Sequence, residues 1–217
     1  CAHSAGAVPH RLSEWDADFA FWCSYKYLNG GPGSPAFLYV NRKHFSRRPG
    51  LAGWFGYDKA RQFDMSLEFH PAGTAGGWQI GTPPVLSAST LLPSLEIFAS
   101  AGIEMLRRKS LALTSFLMDI IDGSLSQQPY SYSVGTPRDE VRRGGHVAVE
   151  HEEAWRICRA LKKRKIIPDF RPPRVIRLAP TALYSSFGDV LAVASALREI
   201  IDGKEYERFS PERDAVS

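Results

Sequence analysis

The stretch WCSYKYLNGGPG, residues 22–33, decides how the rest of the chain is interpreted. It continues an apolar and aromatic run that begins at residue 18, and it ends in a turn rich in glycine and proline. Short apolar runs bounded by such residues are typical of strands. The pattern therefore predicts a strand whose end carries Lys26 between Tyr25 and Tyr27, followed by a glycine-rich turn.

Lys26 has two interpretations at this position. Burial between two tyrosines disfavours the charged ammonium and favours the neutral amine that Schiff-base chemistry needs. Alternatively, the aliphatic stem covers the aromatic rings while the amine reaches water. Position alone favours neither interpretation. Tyr25 can donate a hydrogen bond to a phosphate, and backbone amides of a glycine-rich turn can approach an anion, so the neighbours favour a functional Lys26.

The remaining pattern predicts an α/β chain with two regions. Residues 37–40 form a second strand, and residues 46–82 are an irregular segment rich in glycine, proline and aromatics. Helical spacing over 89–121 predicts one long helix or two, ending near Asp122 and Gly123. The polar residues 124–145 mark the boundary, so the regions are 1–123 and 124–217. The second region is a small α+β unit with strands at 130–134, 146–150, 166–170 and 175–178 and helices at 152–163 and 186–202.

Composition narrows the class of protein. The 217 residues, 44% hydrophobic and 23% charged, are typical of a globular protein with a real core. The net charge of +4 includes one dense basic run at residues 162–165, which we interpret as a solvated helix end rather than a nucleic-acid patch. Three cysteines without a CxxC pair favour a reducing cytoplasm over a disulfide framework.

Several other classes of site and segment are not expected. No stretch approaches the roughly 20 apolar residues of a membrane span. The histidines lack the spacing of metal ligands, so we expect no metal site. The chain opens on Cys1 without an initiator methionine, which we interpret as the middle of a longer protein.

Five separated motifs, in order, resemble the kynureninase family: AH at 2–3, the stretch at 22–33, GWFG at 53–56, GTPP at 81–84 and IRLAP at 176–180. The resemblance covers roughly residues 1–203 and corresponds to the C-terminal half of that family. It implies the C-terminal part of the large domain of a fold-type I pyridoxal-phosphate enzyme over 1–123, with its connecting helix. It also implies a small α+β C-terminal domain over 124–217.

The resemblance also assigns roles in binding the cofactor, pyridoxal 5'-phosphate. Lys26 would carry it, and Tyr25 would contact its phosphate and assist proton transfers. His3 would lie near its ring. Trp54 and Thr82 would reach the phosphate from the neighbouring subunit of a homodimer, although some family members have asparagine where this chain has Thr82. Without the resemblance, we would interpret His3 as a solvated surface residue and Thr82 as part of a turn before two prolines. A role for Trp54 as a core aromatic would be as well supported as a role in binding phosphate.

Arg177 would bind the α-carboxylate of the substrate. A planar guanidinium between Ile176 and Leu178 suits a carboxylate in a partly dry site, although spacing alone favours an ordinary arginine on a surface strand. If Arg177 did not bind the substrate carboxylate, Arg174 would be the next candidate.

The implied reaction is hydrolysis of L-kynurenine, or 3-hydroxykynurenine, to alanine and anthranilate or 3-hydroxyanthranilate, in tryptophan catabolism and NAD biosynthesis. Two alternatives stay open. One is another class V pyridoxal-phosphate enzyme, an aminotransferase or a cysteine desulfurase. The other is a non-catalytic module that keeps a degenerate enzyme fold. If the chain is a fragment, we expect it to be inactive when isolated, because other cofactor contacts of the family lie in the N-terminal half.

Overall fold

The computed structural model describes residues 1–212. The chain divides into two compact units, unit 1 (Cys1–Ile103) and unit 2 (Glu104–Ser217). The division therefore falls about 20 residues before the boundary that the turn-rich sequence suggested. The physical reason is the long helix before that boundary, whose residues Leu113, Leu117 and Met118 are buried in the core of unit 2.

Unit 1 is built around an antiparallel strand pair. Strand β1 (Phe19–Cys23) pairs with β2 (Ala36–Val40), so that Phe19 lies opposite Val40 and Cys23 opposite Ala36. Both predicted strands are confirmed. Apolar side chains lie on both faces of the pair: Phe21 and Leu38 share one face, and Trp22 and Phe37 stack on the other with ring centroids 6.1 Å apart.

The rest of unit 1 is mostly irregular, as predicted for residues 46–82. Short 3-10 turns form at Arg42–His44, Trp54–Gly56 and Ala75–Trp78. Two helices follow, α1 (Val85–Ser89) and α2 (Leu91–Ala101). Helix α2 ends at Gly102, whose φ of 78° lies in the left-handed region that glycine adopts without steric cost.

Unit 2 contains a four-stranded antiparallel sheet in the order β3-β4-β6-β5. The strands are β3 (Ser133–Val134), β4 (Val147–Glu150), β5 (Asp169–Arg171) and β6 (Val175–Leu178). The helices are α3 (Ile103–Ile120), which continues as a π-turn over Ile121–Leu125, then α4 (Ala154–Lys163) and α5 (Phe187–Asp202). The predicted mixture of strands and helices is confirmed, with β3 and β5 shorter than expected.

The register of the sheet gives unit 2 its core. Val147 lies opposite Leu178 and Val149 opposite Ile176, so these four side chains share one face and pack with helices α3, α4 and α5. Alternation along the strands sends their neighbours, including Arg177, to the opposite face. One face of the sheet is therefore apolar and closed, and the other is charged.

Two helix ends match their sequence signals. Ser186 caps α5 in a capping box with Asp189, at the predicted start of that helix. The basic run spans the end of α4, with Lys162 and Lys163 in its last turn, and Arg164 after it forms ion pairs with Glu199 and Glu205. The interpretation of this run as a helix end is confirmed.

No single helix within residues 1–212 is long and apolar enough to cross a membrane, although the bent pair Val85–Ala101 and Ile103–Leu125 reaches that length and composition when taken together. All three cysteines are free thiols. Burial raises the pKa of the Cys158 thiol to about 12, so this cysteine packs in the core as a neutral side chain.

Candidate functional site

Lys26 lies in a bend just after β1 rather than within the strand. Strand β1 ends at Cys23, and the chain turns at Ser24, whose hydroxyl donates a 2.6 Å hydrogen bond to the Pro35 carbonyl. Lys26 is half-buried in unit 1 instead of enclosed at a strand end. The expected burial by an apolar strand is thus weaker than the sequence suggested, because the bend carries the side chain away from the sheet.

Helix α2 fixes the glycine-rich turn that follows Lys26. The Thr90 hydroxyl donates to the Gly30 carbonyl at 2.6 Å, and the Ser94 hydroxyl donates to the Leu28 carbonyl at 2.5 Å. A Cβ on Gly30 would lie 2.8 Å from Ser34 Oγ and 3.0 Å from Leu91 Cδ1, so any other residue there would require these side chains to shift. The turn is therefore held in place by a packed helix.

Several backbone amides in and around the turn already donate hydrogen bonds to nearby backbone carbonyls. Asn29 N–H donates to the Lys26 carbonyl, Gly30 N–H to the Ser24 carbonyl and Ser34 N–H to the Gly31 carbonyl, at 3.0, 2.9 and 3.3 Å. These three amides do not form the anion cradle that the sequence suggested. We therefore expect side chains to be the donors to an anion near Lys26.

His3 lies next to Lys26, although 23 residues separate them in the chain. His3 Nε2 is 3.3 Å from Lys26 Nζ. Two contacts hold the His3 segment against β1: the backbone nitrogen of Cys1 donates to the Phe21 carbonyl at 2.9 Å, and the Cys23 thiol contacts the Ala2 carbonyl at 3.9 Å. The structure thus brings together an amine and an imidazole that the sequence could only assign by resemblance.

Tyr25 completes this cluster. Its ring centroid lies 5.8 Å from Lys26 Nζ, and half of the side chain is exposed. A hydrogen bond with the Cys23 thiol, together with the electrostatic effect of that thiol, raises the pKa of the Tyr25 phenol. The phenol is therefore protonated near neutral pH and able to donate a hydrogen bond to a phosphate oxygen.

Trp54 and Thr82 lie on two loops whose backbones touch. Phe55 N–H donates to the Ile80 carbonyl at 3.4 Å, and a Cβ on Gly53 would collide with the Ile80 backbone. Trp54 is half-exposed, and Thr82 is exposed. Within residues 1–212 neither side chain forms a hydrogen bond or a ring contact with Lys26. The structure thus groups Trp54 with Thr82 but leaves both facing solvent.

Arg177 lies on the charged face of the unit 2 sheet. It stands opposite Asp169 of β5 in the antiparallel register, and its Nη2 forms an ion pair with Asp169 Oδ2. The same Oδ2 also accepts from Arg171 Nε at 2.9 Å. The Arg177 side chain is 22% exposed, which is more enclosed than an ordinary surface arginine. Two guanidinium groups share one carboxylate, so among the described residues 1–212 one positive charge in this group has no acidic counterpart.

Arg174, the alternative candidate, is a single guanidinium paired with two carboxylates. Its guanidinium lies 3.2 Å from Glu150 and 3.0 Å from Glu152. The hydrogen bond with Glu152 and the charges of both carboxylates raise the pKa of Arg174. An arginine already matched by two carboxylates attracts a third poorly. Charge balance therefore favours Arg177 over Arg174 as a carboxylate-binding residue.

Sequence reasoning missed two residues that contact the candidates, Cys23 and Asp169. Cys23 belongs to the motif at 22–33 but was considered only as a possible disulfide partner. Asp169 could have been found by pairing the two predicted strands at 166–170 and 175–178 as a hairpin, because that pairing places it near Arg177.

Sequence comparison with known proteins links this chain to the kynureninases. Residues 106–197 match the family model for the kynureninase C-terminal domain. Kynureninase of Geobacillus thermodenitrificans is 56% identical over 215 residues, and that of Shouchella clausii is 54% identical over the same length. Each alignment covers 99% of this chain and 50% of the relative. The chain therefore spans about half the length of the curated relatives it matches.

Solved structures with similar folds come from more distant proteins. A cysteine desulfurase from Thermococcus onnurineus NA1 has a TM-score of 0.75 at 19% identity, covering 94% of this chain and 52% of that chain. An alanine–glyoxylate aminotransferase from Nostoc has a TM-score of 0.63 at 18% identity, covering 92% and 52%. These likenesses confirm the predicted fold class. Over nearly its whole length, the chain is similar in sequence to about half of each of these kynureninases, including their C-terminal domain over residues 106–197, and its fold resembles those of the cysteine desulfurase and the aminotransferase.

Proposed function

We propose that the protein carrying this chain is a pyridoxal-phosphate-dependent hydrolase that cleaves L-kynurenine or 3-hydroxykynurenine. The products would be alanine and anthranilate or 3-hydroxyanthranilate, in tryptophan catabolism and NAD biosynthesis. The observation that carries the proposal is the 50–56% identity to curated kynureninases over 215 residues. The approach of His3 to Lys26 supports it, because the two motifs that supply these residues meet in space.

The donor set around Lys26 fits pyridoxal phosphate. A primary amine, an imidazole and a protonated phenol lie in one cluster, which matches an aldehyde, an aromatic ring and a phosphate respectively. Within residues 1–212 the contacts of the Lys26 amine are with His3 and the Tyr25 ring, and no ion pair with an aspartate or glutamate is present. Lys26 would attach the cofactor, Tyr25 would donate to its phosphate, and His3 would lie beside its ring.

The chain's own residues would perform distinct tasks. When bound, pyridoxal phosphate supplies an electron-withdrawing ring that stabilises the charge left at the substrate α-carbon. The Lys26 amine would move a proton at that carbon, and His3 Nε2, 3.3 Å away, would orient the amine by a hydrogen bond. Arg177 would hold the substrate by its α-carboxylate. Water would supply the hydroxyl group at the γ-carbonyl when the β–γ carbon–carbon bond breaks.

A homodimer and a cytoplasmic location are part of the proposal. Trp54 and Thr82 would reach the phosphate of the neighbouring subunit, which is supported by their exposure and by the contact between their loops. Exposed apolar neighbours such as Ile80 and Leu86 suit a surface that packs against another subunit. The three free thiols agree with a reducing compartment.

A substrate assay tests the reaction. The protein should release anthranilate from L-kynurenine, detected by its fluorescence, and should not release sulfide from cysteine or transfer an amino group from alanine to glyoxylate. Sulfide release or transamination without anthranilate would replace the proposal with one of the alternative class V activities. Absence of both activity and cofactor absorbance would favour the non-catalytic module.

A labelling experiment tests the role of Lys26 separately. Borohydride reduction followed by peptide mapping should place the pyridoxyl group on Lys26. Lys26→Ala should lose cofactor absorbance, whereas Lys43→Ala should keep it, because Lys43 of the same unit is paired with Asp16 and Asp18 at 2.8 Å each. A pyridoxyl group on any other lysine would contradict the assignment.

A further inference from the structure

We infer that Asp169 is a positioning residue for Arg177, holding its guanidinium on the charged face of the unit 2 sheet in the orientation that receives the substrate carboxylate. The inference rests on the proposed role of Arg177 in substrate binding. It adds a residue that no motif of the sequence identified.

The first argument is the register. Asp169 and Arg177 are direct cross-strand partners in β5 and β6, and both point away from the apolar core. Opposite charges on directly opposed residues attract each other across a sheet. Because both backbones are fixed by the ladder, the carboxylate has a defined position from which to hold the guanidinium.

The second argument is the shared oxygen. Asp169 Oδ2 contacts Nη2 of Arg177 and also accepts from Nε of Arg171 at 2.9 Å. Arg171 therefore restrains the Asp169 carboxylate, and the carboxylate in turn restrains the Arg177 guanidinium. The ion pair is formed through Nη2 of Arg177. A planar guanidinium has five N–H donors, so Arg177 can donate to a second carboxylate while it remains paired with Asp169.

The third argument is charge. Asp169 with Arg171 and Arg177 carries one excess positive charge, whereas Arg174 with Glu150 and Glu152 carries one excess negative charge. An anionic substrate group is therefore attracted to the end of the face where Asp169 lies. Asp169 orients Arg177 without cancelling the charge that makes Arg177 attractive to a carboxylate.

The sign of one binding change tests the inference. L-alanine, the proposed product that carries the α-carboxylate, can be titrated into the cofactor-loaded protein and followed by cofactor absorbance. If Asp169 positions Arg177, Asp169→Ala should weaken alanine binding about five- to tenfold. If Asp169 only diluted positive charge, its removal would strengthen binding. Unchanged or tighter binding would overturn the inference.

Two further variants separate positioning from a loss of fold. Asp169→Asn keeps an acceptor oxygen and should weaken binding only about two- to threefold. Asp169→Ala combined with Arg177→Ala should bind no more weakly than Arg177→Ala alone, because the effects of residues that act together are not additive. Additive losses would show that Asp169 acts without Arg177 and would overturn the inference.

Glu152→Ala is the matched control, because it removes a carboxylate from Arg174 in the same part of the sheet and should leave alanine binding unchanged. The kinetic counterpart is a rise in KM for kynurenine in Asp169→Ala with little change in kcat. Failure of the wild-type protein to cleave kynurenine would sink the proposed function, while the alanine titration would still report on Asp169.

Discussion

The two units bury their apolar residues to very different extents. In unit 2, three helices and one face of the sheet enclose a continuous core in which Ile157, Leu161 and Leu197 are fully buried. In unit 1, large apolar side chains such as Phe21 and Phe63 are 73% and 82% exposed. Apolar surface on this scale usually marks a region that packs against another surface. Unit 2 is therefore stabilised by its own core, whereas unit 1, which carries Lys26, depends more on hydrogen-bonded turns.

The largest expected effect breaks the core of unit 2. Leu197→Ala removes a fully buried side chain from α5 and should destabilise unit 2 by about 2–5 kcal/mol. Phe21→Ala, at an exposed position of unit 1, should change stability by only about 0.5 kcal/mol. Hydrogen-exchange mass spectrometry measures the first effect on peptides containing β4 and β6 and the second on peptides containing β1 and β2. Equal losses of protection would show that the units do not differ as described.

The next effect concerns the charged face of unit 2. Arg177→Ala should lower kcat/KM for kynurenine at least about tenfold, because a charge-assisted hydrogen bond to a carboxylate contributes roughly 1.5–3 kcal/mol. Arg174→Ala is the control and should change this value little, since two glutamates already pair with Arg174. An unchanged kcat/KM in Arg177→Ala would exclude Arg177 from substrate binding.

A smaller effect tests how the helices of unit 2 are tied together. The hydrogen bond from Arg164 lowers the pKa of Glu205 below its ordinary value of 4.5. The stabilisation from Glu205 is therefore complete above about pH 4.5 and is lost as the pH falls through the lowered pKa. Glu205→Gln should cost about 0.2–1 kcal/mol at pH 7, the usual contribution of a partly exposed ion pair.

Urea unfolding at several pH values measures this dependence. The difference between the wild-type protein and Glu205→Gln should shrink as the solution is acidified. Glu207→Gln, on the same 3-10 turn, is a suitable control because no ion pair with Glu207 is recorded within residues 1–212. A constant difference down to strongly acidic pH would contradict the assignment.

The smallest effect lies in unit 1 and involves no change in stability. Cys23→Ala should lower the pKa of Tyr25 toward its ordinary value of 10.0, because the hydrogen bond with the thiol is the largest cause of the rise. Nuclear magnetic resonance of labelled tyrosine, assigned with Tyr25→Phe, measures this shift during an alkaline titration. A Tyr25 pKa that does not move in Cys23→Ala would show that the thiol does not contact the phenol.

Sequence patterns predicted most of unit 2 because its elements follow one simple period each. Strand β6 matches the predicted residues 175–178, and α5 matches the helix predicted over 186–202 from the apolar residues on one of its faces. Strand β5 begins at Asp169 rather than at residue 166 as predicted. Pro168 has no backbone N–H to donate, so the strand does not extend back to Ile166 and Ile167. Strand β3 is shortened at Ser131, whose φ of 55° is incompatible with a strand.

The predicted helical run at 89–121 contained a break that periodicity could not locate. Gly102 separates α2 from α3 without interrupting the apolar spacing, so the pattern allowed one helix or two. The short helix α1 was missed because it begins after two prolines and buries no residue.

The candidate site was less predictable than the fold. The resemblance assigned His3 and Lys26 to one cofactor, but local pattern offered no signal that residues 23 positions apart would approach to 3.3 Å. The ion pair of Asp169 with Arg177 depends on strand register, which a slip of one residue would abolish. Contacts between distant segments arise from packing, and a single sequence records packing only indirectly.

The close approach of Gly53 to the Ile80 backbone has a consequence for protein engineering. Any side chain at position 53 would push apart the loops that carry Trp54 and Thr82. A single Gly53→Ala substitution therefore perturbs both residues without altering either one chemically. The substitution therefore tests whether contact with a neighbouring subunit depends on the two loops together. For the same reason, a mutant library that varies either loop should keep Gly53 unchanged.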